Sequence, residues 1–344
     1  MSISGCYAIG TVPLSQHPMP NPTKRSNKQK FRQLSMQINP LVSIFSSSKD
    51  FRAPWIGNHR LNRMGLHLLR MQMADLLHRL RHVQRPAAQR WPRLQTLRRE
   101  GVVVLPDFLP EHAFRSLREE ARSRLEQSLE QHPPAPAKTV GFGPKQPFNG
   151  GFDRYDGDTL NRFLDIQAGQ SPEAFRVVRN DRLLALCSAA QTRPASPEKF
   201  SLYYTRSGNG DGDAHDLQRD LHRDTFHHAI KLWLFLDDVS DSDGPFVYVP
   251  GSHRMTPARK SWERYRSIRA THPDSPDRSS SFRASLQEIR EMGYADPQRF
   301  PVRGNTLIIA DTLGFHARGD AAPGSERLAL YGAFRPWPFN LLAH

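Results

Sequence analysis

From residue 94 onward the chain alternates helical and extended patterning. Residues 94–100 carry a short helix-like repeat that Gly101 ends, and the β-branched run Val102–Leu105 predicts a buried strand. Glu111–Gln131 has the spacing of a long, charged helix. The Pro-rich stretch 132–137 stops it and opens a region without clear periodicity, comprising the Gly-rich run 141–151 and the polar sequence FDRYDGDTLNRF at 152–163. That region is expected to be irregular, since loops this long inside a domain tend to serve function. Asp181–Gln191 predicts a helix. Short runs rich in Leu, Ile, Val, Tyr and Phe then follow at 200–205, 229–236, 246–249, 306–310 and 327–334, each bounded by Gly, Pro or Asp. Strands so spaced predict an antiparallel barrel or sandwich. The polar interruption at 256–301 reads as a partly helical insertion.

Before residue 94 the pattern differs. Leu61, Met64, Leu68, Met71, Leu76, Leu80 and Val83 approximate helical spacing with Arg63, Arg70, Arg79 and Arg81 interleaved. Residues 51–93 are therefore expected to form a basic amphipathic helical segment. Its apolar stripe should dock on the following domain, peripheral contact with an anionic membrane at 61–83 being the alternative. Residues 1–50, rich in Ser, Pro, Asn and Gln with Lys24, Arg25, Lys28, Lys30 and Arg32, read as a disordered basic leader. The third division, 94–344, is expected to hold the catalytic domain.

Charge sharpens this division. Residues 1–100 carry 17 Lys or Arg against 3 Asp or Glu, while the remainder carries 31 of each, so the net +14 is entirely N-terminal. A nucleic-acid enzyme would place basic charge in its catalytic part, so no nucleic-acid partner is expected. The 344 residues contain no run of apolar residues long enough to span a bilayer and no secretory signal pattern, which suggests a cytoplasmic protein; oligomeric state is not legible. With only Cys6 and Cys187, neither a disulfide framework nor a thiolate cage is available, so any metal must be held by His and carboxylates.

His222 and Asp224 in LHRD are two residues apart, and on extended backbone such residues share a face. His316, in the turn LGFHARG after the apolar run GNTLIIAD, is the best third ligand. Two His and one carboxylate leaving three open positions make the facial triad of oxygen-activating iron(II). Arg327 begins the run RLALYGAF, where its guanidinium can clamp a carboxylate bidentately. Trp233 and Tyr203 lie on apolar strands, core positions that can also line a co-substrate pocket. His227 and His228 read as structural, His253 as a turn stabiliser, Asp237 and Asp238 as turn residues, and the Gly-rich run lacks the Lys-Ser/Thr of a phosphate loop.

The series LHRD, KLWLFLDDV, GPFVYVPGSH, GNTLIIAD with its following His, and an Arg opening the last strand resembles the phytanoyl-CoA dioxygenase family, as does REGVVVLPDFLPEHAFRSLREE at 99–120. The resemblance spans about 94–336, with the loops poorly matched. It implies a double-stranded β-helix (jelly-roll, cupin-like) core with flanking helices. It implies iron(II) held by His222, Asp224 and His316, 2-oxoglutarate gripped by Arg327, and dioxygen consumed as an aliphatic carbon of a small molecule is hydroxylated, with release of succinate and CO2. The presence of Asp224 disfavours halogenation, which needs that position vacant. A cupin-like metal enzyme without 2-oxoglutarate and a non-catalytic binding module are the other readings. Substrate choice should lie in the loops 150–163 and 264–301, where Asp153, Arg154, Asp156, Asp158 and Arg162 suggest a polar wall.

Overall fold

Alternation of side chains along each strand gives this protein two layers, one greasy and one chemical. In the computed structural model, residues 43–83, 91–135, 139, 141–208, 215–278 and 281–341 are described; the leader expected over 1–50 lies outside them up to residue 42. The strands are β1 (Val102–Leu105), β2 (Gln146–Phe148), β3 (Gly151–Asp156), β4 (Thr159–Leu164), β5 (Phe200–Arg206), β6 (Ile230–Phe235), β7 (Phe246–Tyr248), β8 (Gln298–Phe300), β9 (Thr306–Asp311), β10 (His316–Arg318) and β11 (Glu326–Phe334). The large sheet runs β1-β9-β6-β11-β5-β4-β3-β2 and the small one β10-β7-β8, with every pairing antiparallel. This is the jelly-roll core with flanking helices that the family resemblance implies.

One face of the large sheet presents Leu202, Leu232, Leu234, Leu307, Ile309, Leu328 and Leu330, buried with Phe114, Leu117 and Leu125 of α4 (Glu111–Gln131) and Leu183 and Leu186 of α6 (Asp181–Gln191). Burying such side chains stabilises by roughly 1.5–3 kcal/mol each, which fixes the register of β5, β6, β9 and β11. The intervening residues Lys231, Trp233, Tyr203, Arg327, Ala329 and Tyr331 face a cavity between the two sheets. The remaining helices are α1 (His59–Met64), α2 (Leu66–Val83), α3 (Pro92–Glu100), α5 (Pro172–Val178), α7 (Pro257–Arg269) and α8 (Leu286–Glu291); α7, α8 and β8 make up the insertion expected at 256–301.

Several expectations are corrected. Residues 152–163 are not irregular: β3 and β4 form a hairpin over Gly157, which sits at φ 63°, and extend the large sheet. Charges on both faces hid the alternation. Arg162 donates to both oxygens of Asp153 at 2.8 Å, and both side chains are buried beneath α4, so these two belong to the sheet's underside rather than to a polar wall.

The single helix expected over 61–83 is two, because Gly65 at φ 103° ends α1. Its docking face is also polar where an apolar stripe was expected. His67, Arg70, His78 and Arg81 are buried with Met71 and Ala74, while Leu69, Leu76 and Leu80 are exposed. The two arginines are paired: Arg70 donates to the carbonyls of Ile44, Ser46 and Ser48, and Arg81 to that of Asn340. Hydrogen bonding of this kind is what lets a buried face carry charge.

The same contacts draw residues 44–50 out of the leader. The compact unit begins at Ile44, Trp337 donates to the Phe45 carbonyl, and Lys49 reaches the centre of the protein.

Candidate metal centre

The site starts from two backbone hydrogen bonds. His222 N–H donates to the His316 carbonyl at 3.0 Å and His316 N–H returns the bond at 2.9 Å, so an antiparallel bridge sets the two imidazoles side by side. Asp224 N–H donates to the Thr312 carbonyl, which holds the next segment of LHRD against the loop after β9. The three side chains are buried, and Asp224 Oδ1 lies 3.9 Å from Nε2 of each imidazole. One ligand atom from each of the three lies within 4.8 Å of the others, the only such group of three or more among the described residues.

Protonation follows from the surroundings. Nδ1 of His222 faces the Asp220 carbonyl at 2.8 Å and Nδ1 of His316 faces that of Gly314 at 3.0 Å. A carbonyl only accepts, so both protons sit on Nδ1 and both Nε2 lone pairs point into the site. Neither Nε2 has a hydrogen-bond partner among the described residues. Burial holds the His222 imidazole well below its usual range and pushes His316 down to about 4. Burial raises the Asp224 carboxyl, but the cations Lys231 and Arg335 outweigh it and hold the group well below the usual carboxylate range. Two neutral imidazoles and an ionised carboxylate are the states in which these side chains bind a divalent metal. Buried, unpartnered donor atoms aimed at one point fit such an ion, and the triad leaves three positions open for small ligands.

Several residues unmarked in the sequence complete the surroundings. Lys231 Nζ lies 2.7 Å from Asp224 Oδ2, Arg335 reaches the same oxygen at 3.4 Å, and Lys49 Nζ donates to the Asp224 carbonyl at 2.6 Å and to Ser281 Oγ at 2.8 Å. A lone Lys in the apolar strand KLWLF was the available signal for Lys231. Arg335, one residue beyond β11, keeps the two-residue parity of Arg327. Arg223, between His222 and Asp224, turns the other way: Glu263 accepts from Arg223, Arg259 and His67 inside a fully buried cluster.

Arg327, Trp233 and Tyr203 line one cavity of about 470 Å3 together with Asp224 and His316. Arg327 Nε donates to Thr205 Oγ1 at 3.3 Å and its Nη1 to the Gly244 carbonyl; burial and the neighbouring Arg318 push it down to about 10. Arg318 follows His316 by two residues and so shares its face. It donates to Asp216 and Asn161 at 2.7 Å and to Tyr203 Oη at 3.2 Å.

The remaining polar residues are structural. His227 Nδ1 faces the His228 carbonyl, and His253 Nε2 that of Arg98 at 2.9 Å. His228 bridges Asp75 and Asp311. Asp237 accepts from Arg118 and Arg122, and Asp238 from the Gly304 N–H.

Among known proteins, a family profile described as phytanoyl-CoA dioxygenase (PhyH) matches residues 97–286, more than half the chain. His222 and Asp224 lie inside the match, His316 and Arg327 beyond it. A search of curated proteins returned no match. Similar solved structures include the epimerase SnoN with Fe3+, alpha-ketoglutarate and nogalamycin RO (20% identity, 73% of this chain and 87% of that chain, TM-score 0.43). Another is HygX from Streptomyces hygroscopicus with nickel and 2-oxoglutarate (17%, 71% and 86%, TM-score 0.41). No helix among the described residues is long and apolar enough to cross a membrane. The sequence match assigns the chain to the phytanoyl-CoA dioxygenase family of iron(II)- and 2-oxoglutarate-dependent oxygenases.

Proposed function

We propose that this chain hydroxylates an aliphatic carbon of a small-molecule substrate, with His222, Asp224 and His316 holding iron(II) and Arg327 holding the distal carboxylate of 2-oxoglutarate. The observation that carries the reading is the convergence of two Nε2 lone pairs and one carboxylate, all buried and aimed at one point, with Asp224 and His316 lining the cavity that Arg327 also lines. When bound, iron and 2-oxoglutarate supply the activation of dioxygen: one oxygen atom goes to the substrate C–H, the other to succinate, and CO2 leaves.

The protein's own part is positional. The Asp220 and Gly314 carbonyls fix the imidazole tautomers, and Lys231 holds the second Asp224 oxygen so that the first faces the two Nε2 atoms. Arg327 offers a charged donor fork to a carboxylate, with the Thr205 hydroxyl beside it. Trp233, Tyr203, Tyr331 and Phe163 exclude water from the reacting carbon.

Anaerobic titration of the protein with iron(II) and 2-oxoglutarate tests the assignment. A visible charge-transfer band of the chelate, absent with either component alone, is expected; its absence at saturating concentrations of both sinks the reading.

A further inference from the structure

The cavity carries more positive charge than its cofactors can use. Lys49, Arg154, Lys231, Arg318, Arg327 and Arg335 all line it, and Asp224 is the one carboxylate among the lining residues. Three further carboxylates lie near the wall: Asp156 on Arg154 and Asp216 on Arg318, each at 2.7 Å, and Asp243, whose charge acts on Arg327. Six cations therefore meet four carboxylates. Iron(II) and the 2-oxoglutarate dianion cancel each other, so loading the site leaves the surplus of two charges unchanged.

Two of these cations stand apart from Arg327. Lys49 and Arg335 both reach Asp224, Lys49 from the segment ahead of α1 and Arg335 from the chain just after β11. The hydrogen bonds of Lys49 go to neutral acceptors, the Asp224 carbonyl and the Ser281 hydroxyl. Arg335 is half exposed, which leaves its guanidinium open to an incoming molecule. A partly buried ammonium held by neutral groups is costly unless an anion joins it. Aromatic side chains, Phe163, Trp233 and Tyr331, cover the adjoining wall and suit an apolar body.

We propose that the substrate carries an oxyanion group, a carboxylate or a phosphate, which seats on Lys49 and Arg335 beside the metal centre while its apolar body lies on the aromatic wall. This rests on the iron and 2-oxoglutarate reading above and adds the substrate class. It also gives the N-terminal segment, which the family match does not include, a part in recognition.

The test uses the full chain loaded with nickel(II) and 2-oxoglutarate, which binds without turnover. Calorimetric titrations compare 3-phenylpropanoate and phenyl phosphate with the neutral 3-phenylpropanamide. At least one anion is expected to bind tenfold or more tightly than the amide, and the preferred anion names the group. Lys49→Met and Arg335→Gln should each weaken the anion about tenfold more than they weaken the amide or 2-oxoglutarate; Lys49→Arg should restore much of the loss. Equal binding of acid and amide, no binding of either anion, or variants that weaken 2-oxoglutarate instead of the probe overturn the proposal. If the wild type takes up no 2-oxoglutarate, the cofactor assignment itself fails, and this proposal with it. Normal uptake without charge preference removes this inference alone.

Discussion

His222 and His316 are bound to each other through the main chain before they can be bound to anything else, each donating its N–H to the other's carbonyl. The geometry of the pair is thus a property of β-sheet pairing, with side-chain chance largely removed, and Asp224 joins it by the two-residue period of extended backbone.

If that geometry serves iron, Asp224→Ala removes the single anionic ligand and leaves Lys231 and Arg335 facing two neutral imidazoles. Iron-dependent conversion of 2-oxoglutarate to succinate should fall to the background of the metal-free protein. Retention of more than a tenth of wild-type turnover, with iron uptake unchanged in a metal-binding titration, contradicts the role.

Arg327→Ala should act on the co-substrate more than on the metal. Losing one partner of a buried, charge-assisted contact costs about 2–5 kcal/mol. The 2-oxoglutarate concentration at half-maximal rate should rise at least 30-fold, with iron affinity little altered. A variant whose main defect is iron binding would place Arg327 elsewhere in the mechanism.

Glu263 is the hub of the buried cluster around Arg223, and Glu263→Gln leaves Arg223 and Arg259 buried without their carboxylate. Breaking such a cluster costs about 3–5 kcal/mol. Denaturant unfolding should show a loss of that size. Because Arg223 lies between His222 and Asp224, metal affinity should drop as well. A stability change under 1 kcal/mol speaks against the cluster as a structural hub.

The pH dependence of stability should carry the mark of His228. Burial disfavours its charged form, but Asp311 and Asp75 on either side outweigh this and push it up to about 9. His78 stacks on its ring, with His253 edge-on to it. A raised folded value means the contribution is complete below an unfolded value of about 6.5 and is lost as pH rises through about 9. Its size is up to about 3 kcal/mol by that linkage. Unfolding midpoints measured from pH 7 to pH 10 should decline in the wild type and flatten in His228→Gln; parallel curves for the two proteins dispose of the idea.

The surplus of cations in the cavity carries a further expectation, the preference for anionic over neutral aromatic probes set out above, and it can fail while the metal and stability predictions stand.

How much of this was legible depends on whether the deciding interaction was local. The helices Glu111–Gln131 and Asp181–Gln191 and the strand Val102–Leu105 stand where periodicity puts them, and the apolar runs at 200–205 and 306–310 become β5 and β9 with one residue added to each. Their burial pattern is written into consecutive residues. The hairpin β3–β4 was not legible, because its alternation is masked by Asp153 and Arg162, two charges tolerable on a buried face only once they find each other across the strand pair. The face by which α2 docks was inverted for the same reason. Arg70 and Arg81 read as solvent residues until carbonyls of Ile44, Ser46, Ser48 and Asn340 are supplied from distant parts of the chain.

The sequence by itself determined the alternating strands, the pairing of a His and an Asp on one extended face, and the order of motifs that marks the family, since each of these depends on neighbours a few residues away. Only the tertiary structure decided that Lys49, Lys231 and Arg335 gather on Asp224, that Arg318 stands beside Arg327, and that residues 44–50 belong to the site. A charged side chain's place depends on which partner neutralises it, and that partner is chosen by the fold.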